Sequence, residues 1–270
     1  MSGFFDRKRP GSTGMAMFLN AGDPPFGQIE DLVLFLDRTG IDCLELAVPF
    51  PDSVSDGPVI RRSAGRALAH GTGTAETLDF VARIRPKLRH LRIALLADYS
   101  HTVRPLGLDE FLRRTAGSGA DAILVHALPP LLRQRCHEAA ARAALPVVTT
   151  CYMTSPLETI RDAARDATAY VYLAASRGRT GATPEQGYQN LKPLIRILHD
   201  AGTSPVAVGF GVGSREHIAD LRDAGADAAI IGSAFVARLE QAMDENRNPV
   251  SEAAAFLTGL RNDPSPCFHN

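Results

Sequence analysis

Residues 44–58 read LELAVPFPDSVSDGP, an apolar strand pattern that carries an acid, Glu45, followed by a proline-rich loop that ends with another, Asp56. Because side chains alternate along a strand, Glu45 points away from the face formed by the leucines on either side of it. A carboxylate on a buried face is costly unless it is hydrogen-bonded or protonated. Two interpretations follow: acid–base chemistry by Glu45 and Asp56, or a structural glutamate beside an ordinary aspartate turn.

The same strand pattern recurs along the chain, alternating with segments whose apolar residues are spaced three and four apart. The predicted strands are 15–19, 43–48, 92–97, 122–126, 147–151, 170–174, 206–209 and 228–231. The predicted helices are 29–38, 75–83, 109–115, 131–143, 157–165, 188–199 and 215–222, with one more at 251–260. Strand then helix, repeated, predicts parallel strands joined by helical crossovers.

Eight such units predict a single-domain (β/α)8 barrel, a fold whose sites lie in the loops that follow the strands. A doubly wound open sheet is the alternative, because counting strands does not distinguish the two folds. We place the barrel at residues 15–262, between a flexible N-terminal arm at 1–14 and a frayed tail at 263–270.

A weak repeat supports parallel strands. Gly40-Ile41-Asp42, Gly119-Ala120-Asp121 and Gly225-Ala226-Asp227 each end a helical pattern and begin a strand. Glycine at a helix end adopts the left-handed conformation that turns the chain back. The three segments therefore predict turns at the end of the barrel opposite the site.

Composition narrows the class of partner. The chain has 29 basic and 30 acidic residues, and this balance argues against nucleic-acid binding and favours a small-molecule partner. Four cysteines lack metal-like spacing, which predicts free thiols in a reducing cytoplasm and no metal site. No apolar run approaches the roughly 18 to 20 residues of a membrane span, and no secretory signal is evident.

Glycine-containing loops follow the last three predicted strands, at 176–181, 209–214 and 231–234. Such loops present backbone N–H groups, and the last two lead into helix N-termini, where anions are stabilised. Barrel enzymes often bind phosphate after strands 7 and 8. The loops predict a phosphate site, and the absence of a Gly-x-x-x-x-Gly-Lys-Ser/Thr motif argues against a nucleoside triphosphate.

Six segments together resemble the tryptophan synthase α-subunit and its stand-alone relatives, the indole-3-glycerol-phosphate lyases. They are FLNAGDP at 18–24, LELAVPF at 44–50, DGP at 56–58, GRTG at 178–181, GFG at 209–211 and GSA at 232–234. The two acids keep the eleven-residue spacing of that family. The resemblance covers about Met15 to Leu239 and implies a barrel that cleaves indole-3-glycerol phosphate to indole and glyceraldehyde 3-phosphate, with no cofactor.

This retro-aldol reaction adds a proton to indole C3 and removes one from the neighbouring hydroxyl. The resemblance implies that Glu45 shuttles protons with a raised pKa and that Asp56 stabilises the developing indolenine N–H. It implies that Tyr172 orients the glutamate or the glycerol hydroxyls, although a core tyrosine is an equal alternative. The implied pocket residues, each also compatible with barrel packing, are Phe18, Ile60, Tyr99, Leu124 and Phe210; the implied phosphate ligands are Thr180, Gly181, Gly211, Gly232 and Ser233.

Two loops depart from the family pattern. His126-Ala127-Leu128-Pro129 replaces the usual Ala-Asp-Val-Pro after strand 4, and the loop after strand 2 also differs. Both changes fall on the side that faces the tryptophan synthase β-subunit, which puts coupling to that partner in doubt. His126 and Thr150 also place polar groups where the family pocket is apolar. His126 either contacts a modified indole or bonds a backbone carbonyl.

The sequence therefore predicts a lyase that releases indole, with a weak or absent β-subunit partner. One alternative is an α-like subunit that chiefly binds and activates a β-type partner. Another is a barrel lyase or isomerase that acts on a different phosphorylated substrate.

Overall fold

A computed structural model of the chain describes residues 3–5, 12–174, 188–209 and 211–261. These residues contain eight parallel strands in the order β4-β3-β2-β1-β8-β7-β6-β5. They are β1 (Gly14–Asn20), β2 (Cys43–Ala47), β3 (Arg92–Asp98), β4 (Ala122–His126), β5 (Thr149–Tyr152), β6 (Val171–Ala174), β7 (Val206–Gly209) and β8 (Ala228–Ile231). Each predicted strand is present, and its ends differ from the prediction by two residues or fewer.

The sheet curves until its two outer strands meet. Ile123 of β4 pairs in parallel with Val147, just before β5. The Ile123 N–H donates to the Pro146 carbonyl at 2.9 Å, and the Val148 N–H donates to the Ile123 carbonyl at 2.8 Å. The strands thus form a nearly closed barrel. The predicted (β/α)8 class is confirmed, and the open doubly wound sheet is excluded.

Helices follow the strands and cover the outside of the barrel. They are α1 (Phe26–Arg38), α2 (Pro58–Ala69), α3 (Thr74–Ile84), α4 (Arg104–Leu106), α5 (Leu108–Gly117), α6 (Arg133–Arg142), α7 (Leu157–Asp166), α8 (Lys192–Ala201), α9 (Arg215–Ala224), α10 (Ser233–Asp244) and α11 (Pro249–Leu260). No helix was predicted over α2, because the proline-rich segment that ends at Pro58 is typical of a loop. Proline is favoured at the first position of a helix, where its missing N–H has no intrahelical partner to lose.

Alternating strand side chains separate two layers of core. Leu44 and Leu46 belong to the large cluster between sheet and helices. Cys43 belongs to the smaller cluster inside the barrel, and Glu45 opens onto the cavity at the barrel's end. The predicted orientation of Glu45, opposite to its leucine neighbours, is confirmed.

The Gly-x-Asp turns join neighbouring strands at the N-terminal end of the barrel. Their glycines have φ values of 74°, 88° and 94°, in the left-handed region where a side chain would be strained. Each aspartate carboxylate accepts a hydrogen bond from a backbone N–H of the neighbouring strand. The pairs are Asp42 with Met15 at 2.9 Å, Asp121 with Ile93 at 2.8 Å and Asp227 with Val206 at 2.9 Å. The repeat thus satisfies a backbone N–H group within the first two residues of β1, β3 and β7.

Two N-terminal phenylalanines pack inside this end of the barrel. Phe4 is 8% exposed and Phe5 is 2% exposed, and both ring centroids lie 5.4 Å from the Tyr170 ring. The sequence predicts a flexible arm over residues 1–14. In the structure the Phe4 and Phe5 rings are buried, and buried aromatic rings anchor a segment because they remove a large apolar area from water. Residues 1–2, 6–11 and 262–270 lie outside the described part of the chain.

Candidate active site

A cavity opens at the C-terminal ends of the strands, where (β/α)8 barrels bind their ligands. Predicted site residues from six strands and their loops meet there. They are Phe18, Glu45, Asp56, Ile60, Leu124, His126, Tyr172, Gly211, Gly232 and Ser233. Tyr99 is not among the lining residues and packs against the outer core, whereas its neighbour Asp98 does line the cavity. Phe210, Thr180 and Gly181 lie outside the described residues.

Glu45 has the environment of a proton-transfer group. It is fully buried, and the Tyr170 hydroxyl donates to its Oε1 at 2.6 Å. Its Oε2 has no hydrogen-bond partner within the described part of the chain. Burial raises the pKa of Glu45 to about 7, against the opposing effect of the Tyr170 hydrogen bond. Both protonation states are therefore populated near neutral pH, which suits a group that donates and accepts a proton in turn.

Tyr170, and not Tyr172, holds the glutamate. The resemblance implies that Tyr172 orients either the glutamate or the glycerol hydroxyls; its phenol lies at the cavity, and the hydrogen bond to Glu45 Oε1 comes from the Tyr170 hydroxyl. Residues two apart on a strand share a face, so the inward direction of Tyr172 was the signal that could have revealed Tyr170. Burial first, then the nearby Glu45 and Asp56 charges, raise the pKa of Tyr172 well above its usual range, so its hydroxyl stays protonated.

Gly209 fixes the space that Tyr172 occupies. A methyl group added at Gly209 would lie 2.3 Å from the Tyr172 hydroxyl oxygen, far closer than a van der Waals contact. The end of β7 therefore contacts Tyr172 with backbone atoms and no side chain. Any side chain at Gly209 would displace Tyr172 from the cavity wall.

Asp56 is supported by a chain of hydroxyl groups. Burial raises the pKa of Asp56, while a hydrogen bond from Ser53 and the charges of His126 and Arg61 favour its ionised form. The Ser53 and Ser55 hydroxyl oxygens are 3.3 Å apart, and Ser55 Oγ lies 3.2 Å from His126 Nε2. His126 thus bonds a side chain of the β2 loop, an outcome that neither predicted role described.

A second contact ties the same loop to β3. The Phe50 ring stacks on the His101 ring, with centroids 5.4 Å apart and planes inclined at 24°. Asp98 at the end of β3 holds His101, because its Oδ1 accepts from both the backbone N–H and Nδ1 at 2.8 Å. The loop that carries Asp56 is therefore attached to the ends of both β3 and β4.

The far side of the cavity has the features of an anion site. Gly232 precedes α10 and has no side chain to cap the helix, so the first N–H groups of α10 face the cavity end without a capping side chain. Gly211, with φ of 72°, lies beside it. By contrast, α9 begins with Ser214, whose side chain accepts from the His217 N–H. Of the two predicted helix N-termini, that of α10 is the one open to an anion.

The part of the chain that the structure describes contains neither a candidate metal site nor a candidate membrane-spanning helix. Its residues include no group of three or more side chains able to hold a metal ion. Cys43, Cys136 and Cys151 are buried and free, and burial raises the pKa of Cys136 to about 11. Among the described helices none is both long and apolar enough to cross a bilayer.

The fold and the cavity define a (β/α)8 barrel with an acid–base site at the C-terminal ends of its strands. The tryptophan synthase alpha chain family profile matches residues 4–263. The tryptophan synthase alpha chain of Gloeobacter violaceus is 38% identical over 244 residues, covering 90% of this chain and 87% of the relative. That of a Synechococcus species is 33% identical over 258 residues, covering 96% and 94%.

Solved structures agree with these sequence relatives. A variant tryptophan synthase alpha-subunit from the hyperthermophile Pyrococcus furiosus superimposes with a TM-score of 0.81 at 29% identity, covering 93% of this chain and 97% of that one. The chain therefore belongs to the tryptophan synthase alpha chain family, carbon–carbon lyases that cleave indole-3-glycerol phosphate.

Proposed function

We propose that this chain cleaves indole-3-glycerol phosphate into indole and glyceraldehyde 3-phosphate by itself, with Glu45 as the proton-transfer group. One observation carries the proposal. Glu45 Oε2 is buried and unpaired among the described residues, on a carboxyl whose pKa is about 7, and the cavity that it faces ends at the open N-terminus of α10. An acid–base group and an anion site that line one cavity suit a phosphorylated substrate.

The proposed reaction needs two proton transfers at neighbouring atoms. Glu45 protonates indole C3, and the positive charge that appears on the ring is shared with its nitrogen. The hydroxyl on the attached carbon then loses its proton to the carboxylate. Its electrons form the aldehyde, the carbon–carbon bond breaks, and the bonding pair restores the aromatic ring. A single carboxyl with a pKa near neutrality performs both transfers.

Asp56 must stay ionised to stabilise the ring cation in this scheme. The hydrogen bond from Ser53 and the charge of His126 both favour the ionised form and limit the rise in pKa that burial causes. Tyr172 keeps a protonated hydroxyl at the cavity and can donate to a substrate hydroxyl. We assign the phosphate to the α10 N-terminus, with Gly232, Ser233 and Gly211 as ligands; Thr180 and Gly181, which lie outside the described residues, are further ligands that the resemblance implies.

Independence from a partner is supported by the two contacts of the β2 loop. Ser55 meets His126, and Phe50 stacks on His101, so side chains of this chain already hold the segment that carries Asp56. A preorganised site does not need a second subunit to assemble it.

One observation favours the alternative, a subunit that binds and activates a β-type partner. Four large apolar side chains are exposed in the segments after β2, β4 and β5, up to the first residue of α7, at the same end of the barrel as the cavity. They are Val54 at 91%, Leu131 at 96%, Met153 at 37% and Leu157 at 45% exposure. Exposed apolar residues grouped on one face often mark a protein interface.

The deciding experiment measures indole release from indole-3-glycerol phosphate by the purified chain, alone and with a tryptophan synthase β-subunit added. The proposal expects release by the chain alone, with loss in Glu45→Gln and Asp56→Asn. Release only after the β-subunit is added would favour the alternative. In that case a Val54→Ser, Leu131→Ser double variant would lose the activation. Full activity of Glu45→Gln would overturn the assigned mechanism.

A further inference from the structure

The cavity has a polar wall opposite its anion-binding end. In the proposed function, the phosphate at α10 and the reacting carbon at Glu45 direct the indole ring toward the ends of β3, β4 and β5. Leu96 and Leu124 supply apolar surface there, but each of the three strands also places a polar side chain on the cavity. The three are Asp98, His126 and Thr150, which we call the polar wall.

Each member of the polar wall keeps a hydrogen-bonding atom for a ligand. Asp98 and His126 are directly paired across the β3–β4 register. Both hydrogen bonds to the Asp98 carboxylate end on Oδ1, and the hydrogen bond of His126 uses Nε2. The Thr150 hydroxyl has no hydrogen bond within the described part of the chain. Asp98 Oδ2, His126 Nδ1 and Thr150 Oγ1 are thus available.

An unsubstituted indole ring would satisfy none of these atoms. Its single polar group is the N–H, which the proposed function assigns to Asp56. An apolar ring edge against the polar wall would remove water from three polar groups and return no hydrogen bond, at a cost of about 1 to 3 kcal/mol for each group that is fully desolvated. Sites that present hydrogen-bonding groups discriminate strongly against ligands that lack the matching group.

We propose that the substrate of this enzyme is an indole-3-glycerol phosphate that carries a hydroxyl group on the six-membered ring, which the polar wall binds. The inference rests on the proposed function, because that function orients the ring. A hydroxyl donates to the Asp98 carboxylate and accepts from Thr150 or His126 in the same site. A carboxylate substituent would be repelled by Asp98, and a methyl or halogen substituent offers no donor.

The first experiment compares kcat/KM of the purified chain for indole-3-glycerol phosphate and for analogues hydroxylated at each six-ring position in turn. We expect at least one hydroxylated analogue to be preferred by about tenfold or more, the equivalent of one good hydrogen bond. Equal or lower kcat/KM for every hydroxylated analogue, with the unsubstituted substrate cleaved, would overturn this inference alone. Cleavage of none of them would overturn the proposed function as well.

The second experiment links the preference to the polar wall. Thr150→Val and Asp98→Asn should reduce the ratio of kcat/KM values for the preferred and the unsubstituted substrate by threefold or more. Thr149→Val is the matched control, because Thr149 points outward and its hydroxyl donates to the Ala163 carbonyl at 2.6 Å. The control should keep the wild-type ratio. An unchanged ratio in both wall variants would overturn the inference.

A binding measurement gives a readout that is independent of turnover. The chain contains no tryptophan, so the fluorescence of an indole ring reports on the ligand alone. Titration of each substrate into Glu45→Gln should give the lower Kd for the hydroxylated analogue, and Thr150→Val in that background should remove the difference. Tighter binding of the unsubstituted substrate would contradict the polar-wall assignment.

Discussion

Asp42 lies just before β2 and Glu45 lies at the middle of that strand, only three residues apart, and their carboxylates have different surroundings. Asp42, at the N-terminal end, accepts the Met15 N–H at 2.9 Å and so joins β2 to β1. Glu45, at the middle of β2, accepts a hydrogen bond from the Tyr170 hydroxyl on one oxygen, and within the described residues its other oxygen has no partner. The first arrangement stabilises the barrel, whereas the second leaves one carboxylate oxygen of a cavity-lining residue without a partner among the described residues.

This difference separates carboxylates that stabilise the barrel from a carboxyl that is placed for chemistry. At the N-terminal end, carboxylates satisfy backbone N–H groups that would otherwise lack acceptors. At the C-terminal end, one carboxyl is kept where its ionised form is unfavourable, and the rest of the barrel must compensate for it. Substitutions at the two ends should therefore separate into those that change activity and those that change folding stability.

The largest effect is expected from Glu45→Gln. The amide cannot transfer protons, so kcat should fall by about 10³-fold or more while the fold is kept. The exposed Glu158→Gln serves as the matched control and should retain wild-type kcat. Activity within tenfold of wild type would show that the unpaired oxygen of Glu45 is not the reactive group.

The same variant tests the pKa of Glu45 through stability. A carboxyl with a folded-state pKa of about 7 and a usual value of 4.5 binds more protons in the folded state. Wild-type stability should therefore fall as pH rises between these values, and Glu45→Gln lacks this loss. Between about pH 5 and about pH 8, the unfolding free energy of the variant should gain up to about 3 kcal/mol relative to wild type. A pH-independent difference in denaturant titrations would contradict the raised pKa.

The next effect is expected from Phe5→Ala at the opposite end. The Phe5 ring is buried and packs on Tyr170, so truncation leaves a cavity and should reduce the unfolding free energy by about 3 kcal/mol. Phe5→Leu, which keeps most of the buried volume, should lose less than half as much. Thermal unfolding measures both. Equal stability of Phe5→Ala and wild type would show that this segment contributes nothing to the core.

Asp227→Ala should have a smaller effect that is confined to stability. It removes the acceptor of the Val206 N–H and the contact of Asp227 with His199, which lies 2.8 Å away. We expect a loss of about 1 to 2 kcal/mol and an unchanged kcat/KM. Asp227→Asn retains an oxygen acceptor and should lose less. A parallel fall in kcat/KM would mean that the two ends of the barrel are not separate in function.

Much of the fold could be predicted, because alternation of strand and helix patterns is a local property of the sequence. The three Gly-x-Asp turns were located correctly for the same reason, since a left-handed residue after a helix favours glycine. The hydrogen bonds of Asp42, Asp121 and Asp227 to neighbouring strands were not predicted, since they depend on register between segments distant in sequence. The burial of Phe4 and Phe5 depends likewise on the open end of a barrel that is formed by the whole chain.

The site was predicted in part, and the differences have physical causes. Glu45 was identified because it is an acid in an apolar strand pattern. Asp56 was identified because its segment resembles that of the family. Sequence spacing could not decide which of Tyr170 and Tyr172 reaches Glu45, because both face inward and the choice depends on their depth in the barrel. Tyr99 was chosen by the resemblance, whereas Asp98, the last residue of β3 and two residues after Leu96, lines the cavity.

The smallest and most specific effect is expected from Tyr170→Phe. Tyr170 contacts the phenylalanines at the N-terminal end of the barrel and also Glu45 at the cavity. Its ring packs on Phe4 and Phe5, and its hydroxyl donates to Glu45. The variant keeps the ring contacts and removes only the hydrogen bond, which stabilises the ionised glutamate and so lowers its pKa. Removal should raise the Glu45 pKa above about 7 by up to about one unit.

Two measurements distinguish this electrostatic role of Tyr170 from simple packing. The inflection that Glu45 gives in the pH dependence of kcat/KM should move to higher pH in Tyr170→Phe. The loss of unfolding free energy should be larger at about pH 8, where the glutamate is ionised, than at about pH 5, where it is protonated. Tyr172→Phe is the matched control, since the hydrogen bond to Glu45 Oε1 comes from Tyr170, and it should leave the inflection in place. An inflection that moves in Tyr172→Phe but not in Tyr170→Phe would contradict this assignment. It would mean that Tyr172, at the cavity, and not Tyr170 orients the glutamate.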